Sequence, residues 1–346
     1  MNAMPEPFDV VIVPDFSGPQ AGIFEQRTLL FLASWIVNAG NAVNFPLHVA
    51  CIGEPPSTVK KLAEICNASV TVHEPLKISN SAYCNKLRGL EVTGKTEKVL
   101  LLDADIVVLA DPSGLSDMND CIAASPASWC RIPEEYWHKI CQSLEILQSP
   151  SLVPTISQRF VITRPRTSAF PVKDFQTSII SYFNSGVIMV PWKYGLRDFW
   201  ERNITRISGI FNETDIYWQE IKHFIDQIGL STVISFYQKK ECCFFQLPDA
   251  YNSQPLYLFA GALRAQDIKL FHAFHLFRKP SRITKQMTLY KYDLLRQYAR
   301  LYRANRKRNK KIFNKKKAVF VVKEILNLDK KLRFVQKKAA GFLKEC

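Results

Sequence analysis

Asp103 and Asp105 are the residues whose types and spacing point most directly to chemistry. They follow Val99 to Leu102, four apolar, β-prone residues in a row. Such a run is the pattern of a strand buried on both faces. Two carboxylates at the end of a buried strand are costly unless something neutralises them. Residues i and i+2 of a strand point the same way, so a turn just after it can aim both carboxylates at one point. A divalent cation there would neutralise the pair. In open α/β sheets, ligands sit beyond the carboxyl ends of the strands. The plain alternative is a solvated Asp-x-Asp turn.

A second stretch, Gly89 to Thr96, has the letters of a phosphate-binding loop, with Gly94, Lys95 and Thr96 at its end. That loop needs a strand before it and a long helix starting within it, so that backbone N–H groups cradle the phosphates. Here a helix is expected before it. Only six residues separate Thr96 from Asp103, too few for a helix and a return crossover. The stretch reads as a helix-to-strand turn.

The rest of the chain must position the two carboxylates. Phe8 to Asp15 reads as a first buried strand ending in an acid. Ile23 to Val37 places Leu29, Leu30, Ala33, Ile36 and Val37 at helical spacing. Leu47 to Ile52 is a second strand, Ser57 to Cys66 a helix capped by Ser57, and Val70 to His73 a third strand. Ser81 to Glu91 is a predicted helix leading to the strand before Asp103. Strand and helix in alternation predict an α/β fold with a parallel sheet and helices on both faces. Beyond Pro112 the pattern loosens. Residues 125–181 are rich in Pro, Ser and aromatics, with a helix near Glu134 to Leu147. Long segments of this kind are commonly binding surfaces. Tyr182 to Val190 reads as a turn and strand with Gly186 at its start. Leu196 to Ile207 and Tyr217 to Ile228 are helical, and Ile268 to Phe271 is a last short strand.

The chain has 346 residues, 47% of them hydrophobic, enough to bury a sizeable core. Its net charge of +15 is uneven. From Arg278 onward there are 23 Lys and Arg against 4 Asp and Glu, whereas residues 1–277 carry 23 against 27. A near-neutral body of residues 1–280 is therefore followed by a basic tail, 281–346. Nine scattered cysteines without a Cys-x-x-Cys pair fit unpaired thiols in a reducing compartment. No signal-peptide pattern and no apolar run of membrane-spanning length are evident. The expectation is a cytoplasmic protein.

Lys98 to Asp105, a lysine, a buried run and Asp103-Ala104-Asp105, resembles the metal motif of GT-A glycosyltransferases, most closely glycosyltransferase family 8. That family includes glycogenin and the bacterial galactosyl- and glucosyltransferases of lipopolysaccharide biosynthesis. The resemblance extends in order along the chain. Val10 to Asp15 is similar to the family's first strand, whose end holds the nucleotide. Lys86 stands where the family has a basic residue that reaches the donor. Phe183 to Val187 is close to Phe-Asn-Ala/Ser-Gly-Val, Asp226-Gln227 matches an Asp-Gln pair, and Lys279-Pro280 resembles a closing Lys-Pro. His272 follows a strand, as the family's metal-binding His does. The family's last motif also has a Gly that is missing here. His272 lies one residue too far from Lys279 and His275 two too near. Strand context favours His272.

The resemblance implies a Rossmann-like GT-A nucleotide-sugar domain with a basic helical extension. It implies a metal-dependent hexosyltransferase that retains anomeric configuration, taking a UDP-sugar to a glycan or lipid-linked acceptor. The metal would be Mn²⁺ or Mg²⁺, held by Asp103, Asp105 and His272 or His275. Lys86 and Lys279 would add positive charge on the diphosphate, and Asp15 would bond the uridine end. Asn184, Gly186, Asp226 and Gln227 would meet the sugar, and 125–181 would shape the acceptor side. Two rivals stand. Asp103 to Val107 also fits the strand-end motif of haloacid-dehalogenase-like phosphatases, with Asp103 as nucleophile, although that motif closes a first strand and here three precede it. The other is a non-catalytic adaptor for membrane or nucleic acid.

The tail carries Leu294, Tyr298, Leu301 and Tyr302 on one stripe. Val321, Ile325, Leu328, Leu332, Val335, Ala339 and Phe342 form a second, among Lys and Arg. Basic amphipathic helices lie on anionic membranes, so a peripheral site on the inner membrane face is expected. Packing on the body is the alternative. Nothing in the body resembles a base reader, so nucleic acid is not an expected partner.

Overall fold

The computed structural model describes residues 5–79, 81–118, 120–127, 132–146, 182–239, 244–273, 283–305 and 314–345. Most of 125–181, together with His275 and Lys279, lies outside these residues. The elements run β1 (Asp9–Ile12), α1 (Ala21–Asn38), β2 (Leu47–Ile52), α2 (Ser57–Ile65), β3 (Ser69–His73), β4 (Lys98–Leu102), β5 (Ile106–Val108) and β6 (Ile122–Pro126). They continue with α3 (Glu134–Ser143), β7 (Phe183–Pro191), α4 (Leu196–Ile210), α5 (Trp218–His223), α6 (Ile225–Lys239), β8 (Phe244–Gln246) and α7 (Pro255–Phe259). β9 (Leu270–His272), α8 (Ile283–Asn305) and α9 (Lys315–Glu345) complete them. The predicted helix over Ser81 to Glu91 is a 3₁₀ helix, Ala82–Leu90. Ser57 makes no side-chain cap; Pro56 precedes the helix instead.

Seven strands form one sheet in the order β3-β2-β1-β4-β7-β6-β8. The first four are parallel, as expected. The sheet is mixed overall, because β7 runs antiparallel to both β4 and β6. The helical crossovers that enforce parallel pairing end at β4. Within β4 the side chains alternate: Leu100 and Leu102 join a core with α1 and α9, while Val99 and Leu101 join a core with α4 and α6. β5 leaves this sheet and pairs antiparallel with β9 in a sheet of two strands.

The rejected phosphate loop does cradle an anion, and the anion belongs to the chain. Asp9, fully buried at the start of β1, accepts the backbone N–H groups of Lys95 and Thr96, each at 3.0 Å. Trp192 Nε1–H donates at 3.0 Å and His48 Nε2 lies 2.9 Å away. Burial disfavours this carboxylate, but His48, Trp192, Lys95 and Thr96 outweigh it and hold its pKa well below the usual range. Gly94 is required here: a Cβ would overlap Trp192 Nε1 and stand 2.7 Å from Cε2.

The second tail stripe does not face a membrane. Val321, Ile325, Leu328, Leu332, Val335 and Ala339 are buried in the core that contains α1, and α9 packs on α1, α2, α7 and α8. Burying each large apolar side chain stabilises by about 1.5–3 kcal/mol relative to leaving it in water. Glu324 pins α9 by accepting the Ala265 N–H at 2.6 Å. Among the described residues, no helix is long and apolar enough to cross a membrane. Cys51, Cys66, Cys84 and Cys141 are free thiols, as expected, but Cys121 is disulfide-bonded, which the sequence reading did not anticipate.

Candidate functional site

The turn after β4 is pinned between the two sheets. Asp103 N–H donates to Gly186 O at 2.9 Å, and Ile106 N–H donates to Asp103 O at 3.1 Å. β5 then places Ile106 opposite His272 of β9, and Ala273 N–H donates to Asp105 O at 2.9 Å. This pairing delivers the imidazole. His272 Nε2 lies 3.2 Å from Asp105 Oδ1 and 3.6 Å from Asp103 Oδ2. One ligand atom from each of the three residues lies within 4.8 Å of the others.

The donor set fits a divalent cation. His272 Nδ1 is 3.1 Å from Asn252 Oδ1, and the Asn252 amide N–H donates to Asn184 Oδ1 at 2.9 Å. An amide oxygen only accepts, so Nδ1 carries the proton. Nε2 then turns a lone pair toward two carboxylates, an arrangement that calls for a proton or a metal between them. Burial works against a charged His272, but Asp105 and then Asp103 raise its pKa overall. The two acids split. Burial, partly opposed by Lys86 and His272, pushes Asp103 up. At Asp105 burial is overcome by His272, Arg27 and Lys86, and its pKa falls well below the usual range.

Gly186 makes room for His272. Asn184, Ser185 and Gly186 lie inside β7 rather than in a turn before it. A Cβ on Gly186 would overlap His272 Cε1 and stand 2.8 Å from Nδ1. The group that approaches Gly186 is therefore the imidazole.

Lys86 ties the carboxylates to α6. Its Nζ is 2.6 Å from Asp103 Oδ1, 2.7 Å from Ser185 Oγ and 3.4 Å from Asp226 Oδ2. Ser185 Oγ–H donates to Asp226 Oδ2 at 2.5 Å. Burial disfavours the Lys86 ammonium, but Asp103 and Asp226 raise its pKa overall. Asp15 reaches this neighbourhood through Asn85, whose amide donates to Asp15 Oδ2 at 2.9 Å. Ala104 is buried in the turn. Gln227 follows Asp226 in α6, but among the described residues no hydrogen bond joins its side chain to the cluster.

The structure therefore gathers Lys86, Asp103, Asp105, Asn184, Gly186, Asp226 and His272. Sequence reasoning missed four participants. Ser185 stands inside a motif that was read through its neighbours. Asn252 lies in a loop with no pattern of its own. Arg27 of α1 places Nη1 3.4 Å from Asp105 Oδ2, and helical spacing carries no sign of that reach. Tyr290 of α8 buries a hydroxyl with no hydrogen-bond partner among the described residues. Burial first, then the Asp105 charge, raises its pKa.

A mixed sheet with a parallel half, and an acid pair with an imidazole beyond its fourth strand, is the GT-A fold of glycosyltransferases. The model of the Rhodobacterales glycosyltransferase domain matches residues 19–237. The chain belongs to that family and is a glycosyltransferase. The phosphatase and adaptor readings give way to this assignment. Among solved structures, the chain is similar to the galactosyltransferase LgtC in complex with donor and acceptor sugar analogs. The identity is 15%, over 76% of this chain and 86% of that one, with a TM-score of 0.46. It is also similar to the glycosyltransferase GlyE of Streptococcus pneumoniae TIGR4, at 13% identity over 77% and 54%, TM-score 0.45. A third is core-mannan synthase A of Aspergillus fumigatus, at 10% over 69% and 72%, TM-score 0.40. Comparison with curated proteins gives no match.

Proposed function

We propose that this glycosyltransferase is a family 8-like, retaining enzyme that moves a hexose from a UDP-sugar to a glycan or lipid-linked acceptor, dependent on Mn²⁺ or Mg²⁺. The observation that carries the reading is the convergence of Asp103, Asp105 and His272 within 4.8 Å beyond β4. Carboxylate oxygens and imidazole together suit Mn²⁺ at least as well as Mg²⁺. A divalent cation held by these three residues would draw off the charge that develops on the departing diphosphate. Lys86, already facing two acids, would add a second positive charge beside it. Asp15 would bond the nucleotide end. Asn184, Asp226 and Gln227 would orient the sugar, and Asn252 would hold His272 in its ligating tautomer.

The acceptor side would be shaped by 125–181 and, at a membrane, approached across the outer face of α9. That face exposes Val319 (72%) and Phe334 (51%), with Val322 and Leu326, among lysines. Binding of anionic vesicles, lost in Leu326→Asp and Phe334→Asp, supports that peripheral site; equal binding by both variants counts against it.

The central test is release of UDP from a panel of UDP-sugars with and without Mn²⁺ or Mg²⁺, alongside thermal unfolding of the same mixtures. A UDP-sugar that raises the melting temperature only with metal is the expected result. Turnover that ignores chelation would overturn the reading.

A further inference from the structure

We propose that the Tyr83 ring is a stacking platform for the acceptor sugar. The proposal rests on the reading of the acid cluster as a nucleotide-sugar site. It adds to that reading the residue that meets the second sugar.

Two elements meet twice beside the cluster, at the same step along each. Lys86 of the 3₁₀ helix Ala82–Leu90 and Asp226 of α6 approach to 3.4 Å. Three residues earlier on each side, the rings of Tyr83 and His223 stand edge to face, with centroids 4.9 Å apart and planes at 75°. Residues i and i+3 of a 3₁₀ helix eclipse each other, so Tyr83 lies on the face that carries Lys86. His223 closes α5, and Asp226 lies in the first turn of α6. The ion pair is largely buried. Tyr83 is 50% exposed and His223 is exposed as well. The aromatic pair is thus an outer layer beside the charged one.

The charges of the cluster reach this layer. Burial and then the Asp226 carboxylate raise the Tyr83 pKa, and Arg27, Asp103 and Asp105 act on it as well. Its hydroxyl keeps its proton, and its ring borders the acids. An edge-to-face contact occupies at most one face of each ring. With half of Tyr83 exposed, a face remains for a ligand. A pyranose fits such a place. Its C–H groups are drawn to the negative face of an aromatic ring, and its hydroxyls can meet carboxylates.

Position selects the acceptor's sugar. Asn85, which donates to Asp15 at 2.9 Å, is two residues beyond Tyr83 and so lies on another face of a helix with three residues per turn. The nucleotide end belongs to that other face. Asp226, the expected partner of the donor sugar, is buried, whereas Tyr83 looks onto solvent. A sugar arriving from solution over a bound donor meets the exposed ring.

The test is calorimetric titration of the full chain, saturated with UDP and Mn²⁺, with the methyl α- and β-glycosides of glucose, galactose and mannose. It is carried out for the wild type, Tyr83→Ala and Tyr83→Phe. The wild type is expected to bind at least one glycoside. Tyr83→Ala is expected to weaken that binding about tenfold, the loss of an aromatic stacking surface. Tyr83→Phe, which keeps the ring, is expected to stay within about twofold of the wild type, as is UDP affinity in both variants. Unchanged glycoside binding in Tyr83→Ala overturns the proposal, as does a wild type that binds UDP and none of the glycosides. A Tyr83→Phe that falls as far as Tyr83→Ala assigns the effect to the hydroxyl and overturns it too. If Tyr83→Ala instead weakens UDP-glucose or UDP-galactose relative to UDP, the ring lies against the donor sugar and the proposal is wrong. A wild type that binds no UDP with Mn²⁺ removes the nucleotide-sugar reading itself.

Discussion

Asp9 and the Asp103–Asp105 pair sit at opposite ends of two adjacent parallel strands. β1 lies beside β4 with Asp9 opposite Val99 and Ile12 opposite Leu102. Asp9 therefore stands at the entry of the pair and the two aspartates just past its exit. Both are acids in a buried setting, and their surroundings differ in kind. Asp9 is met mainly by N–H donors that the fold itself fixes, two of them backbone amides. Among the described residues no backbone N–H donates to the side chains of Asp103 or Asp105. Their partners are Lys86, Arg27 and His272, and 26% and 10% of the side chains remain exposed. A backbone donor cannot leave without unfolding the turn that carries it, whereas a long basic side chain can be exchanged for another cation. Who satisfies a carboxylate, more than how deeply it lies, separates an acid that builds from one that binds.

That contrast can be broken by substitution. The largest effect is expected from Asp103→Ala and Asp105→Ala. Sugar transfer should fall roughly 10³-fold, about 4 kcal/mol of transition-state stabilisation, with little change in the urea midpoint. Asp9→Ala should invert this pattern. Leaving its donors unmet deep in the fold should cost about 3–5 kcal/mol in urea unfolding, while activity per folded molecule persists. Should Asp9→Ala spare stability and abolish transfer, the two centres have exchanged roles.

Acid sharpens the same comparison. The Asp9 pKa is lower in the folded chain than its ordinary value of 3.8. Its contribution is therefore fully present above about pH 4 and is lost as pH falls toward the folded value. The slope is up to about 1.4 kcal/mol per pH unit. Asp9→Asn should remove that component of the slope, which unfolding titrations below pH 4 would reveal. The smallest effect is expected from Trp192→Phe, which deletes one of the donors to Asp9. A loss of about 1.5 kcal/mol in unfolding, with sugar transfer unchanged, would place Trp192 on the building side.

Much of this was legible in the residue order. Buried apolar runs mark β1, β2 and β4, because a strand covered on both faces has no polar alternation to disguise it. The acid pair was legible for the same reason: two charges directly after such a run are out of place. The reversal of β7 was not, since antiparallel and parallel partners demand the same side chains. β5 and β9 have three residues each, too few for a period, yet their pairing is what brings His272 to the turn. Gly186 was expected beside a sugar, and nothing in the residue order shows that His272 packs against it. The tail stripe was found by its spacing, but spacing alone does not say whether lipid or α1 covers it.

The contact between α1 and α9 also bears on how the molecule is made. A ribosome adds about 5–20 residues per second, so the face of α1 waits on the order of tens of seconds for the helix that covers it. During that interval α1 belongs to a nascent chain with an unfinished wall, a natural substrate for a chaperone. A premature stop within α9 would then yield a glycosyltransferase domain that never seals, rather than a slightly shorter enzyme.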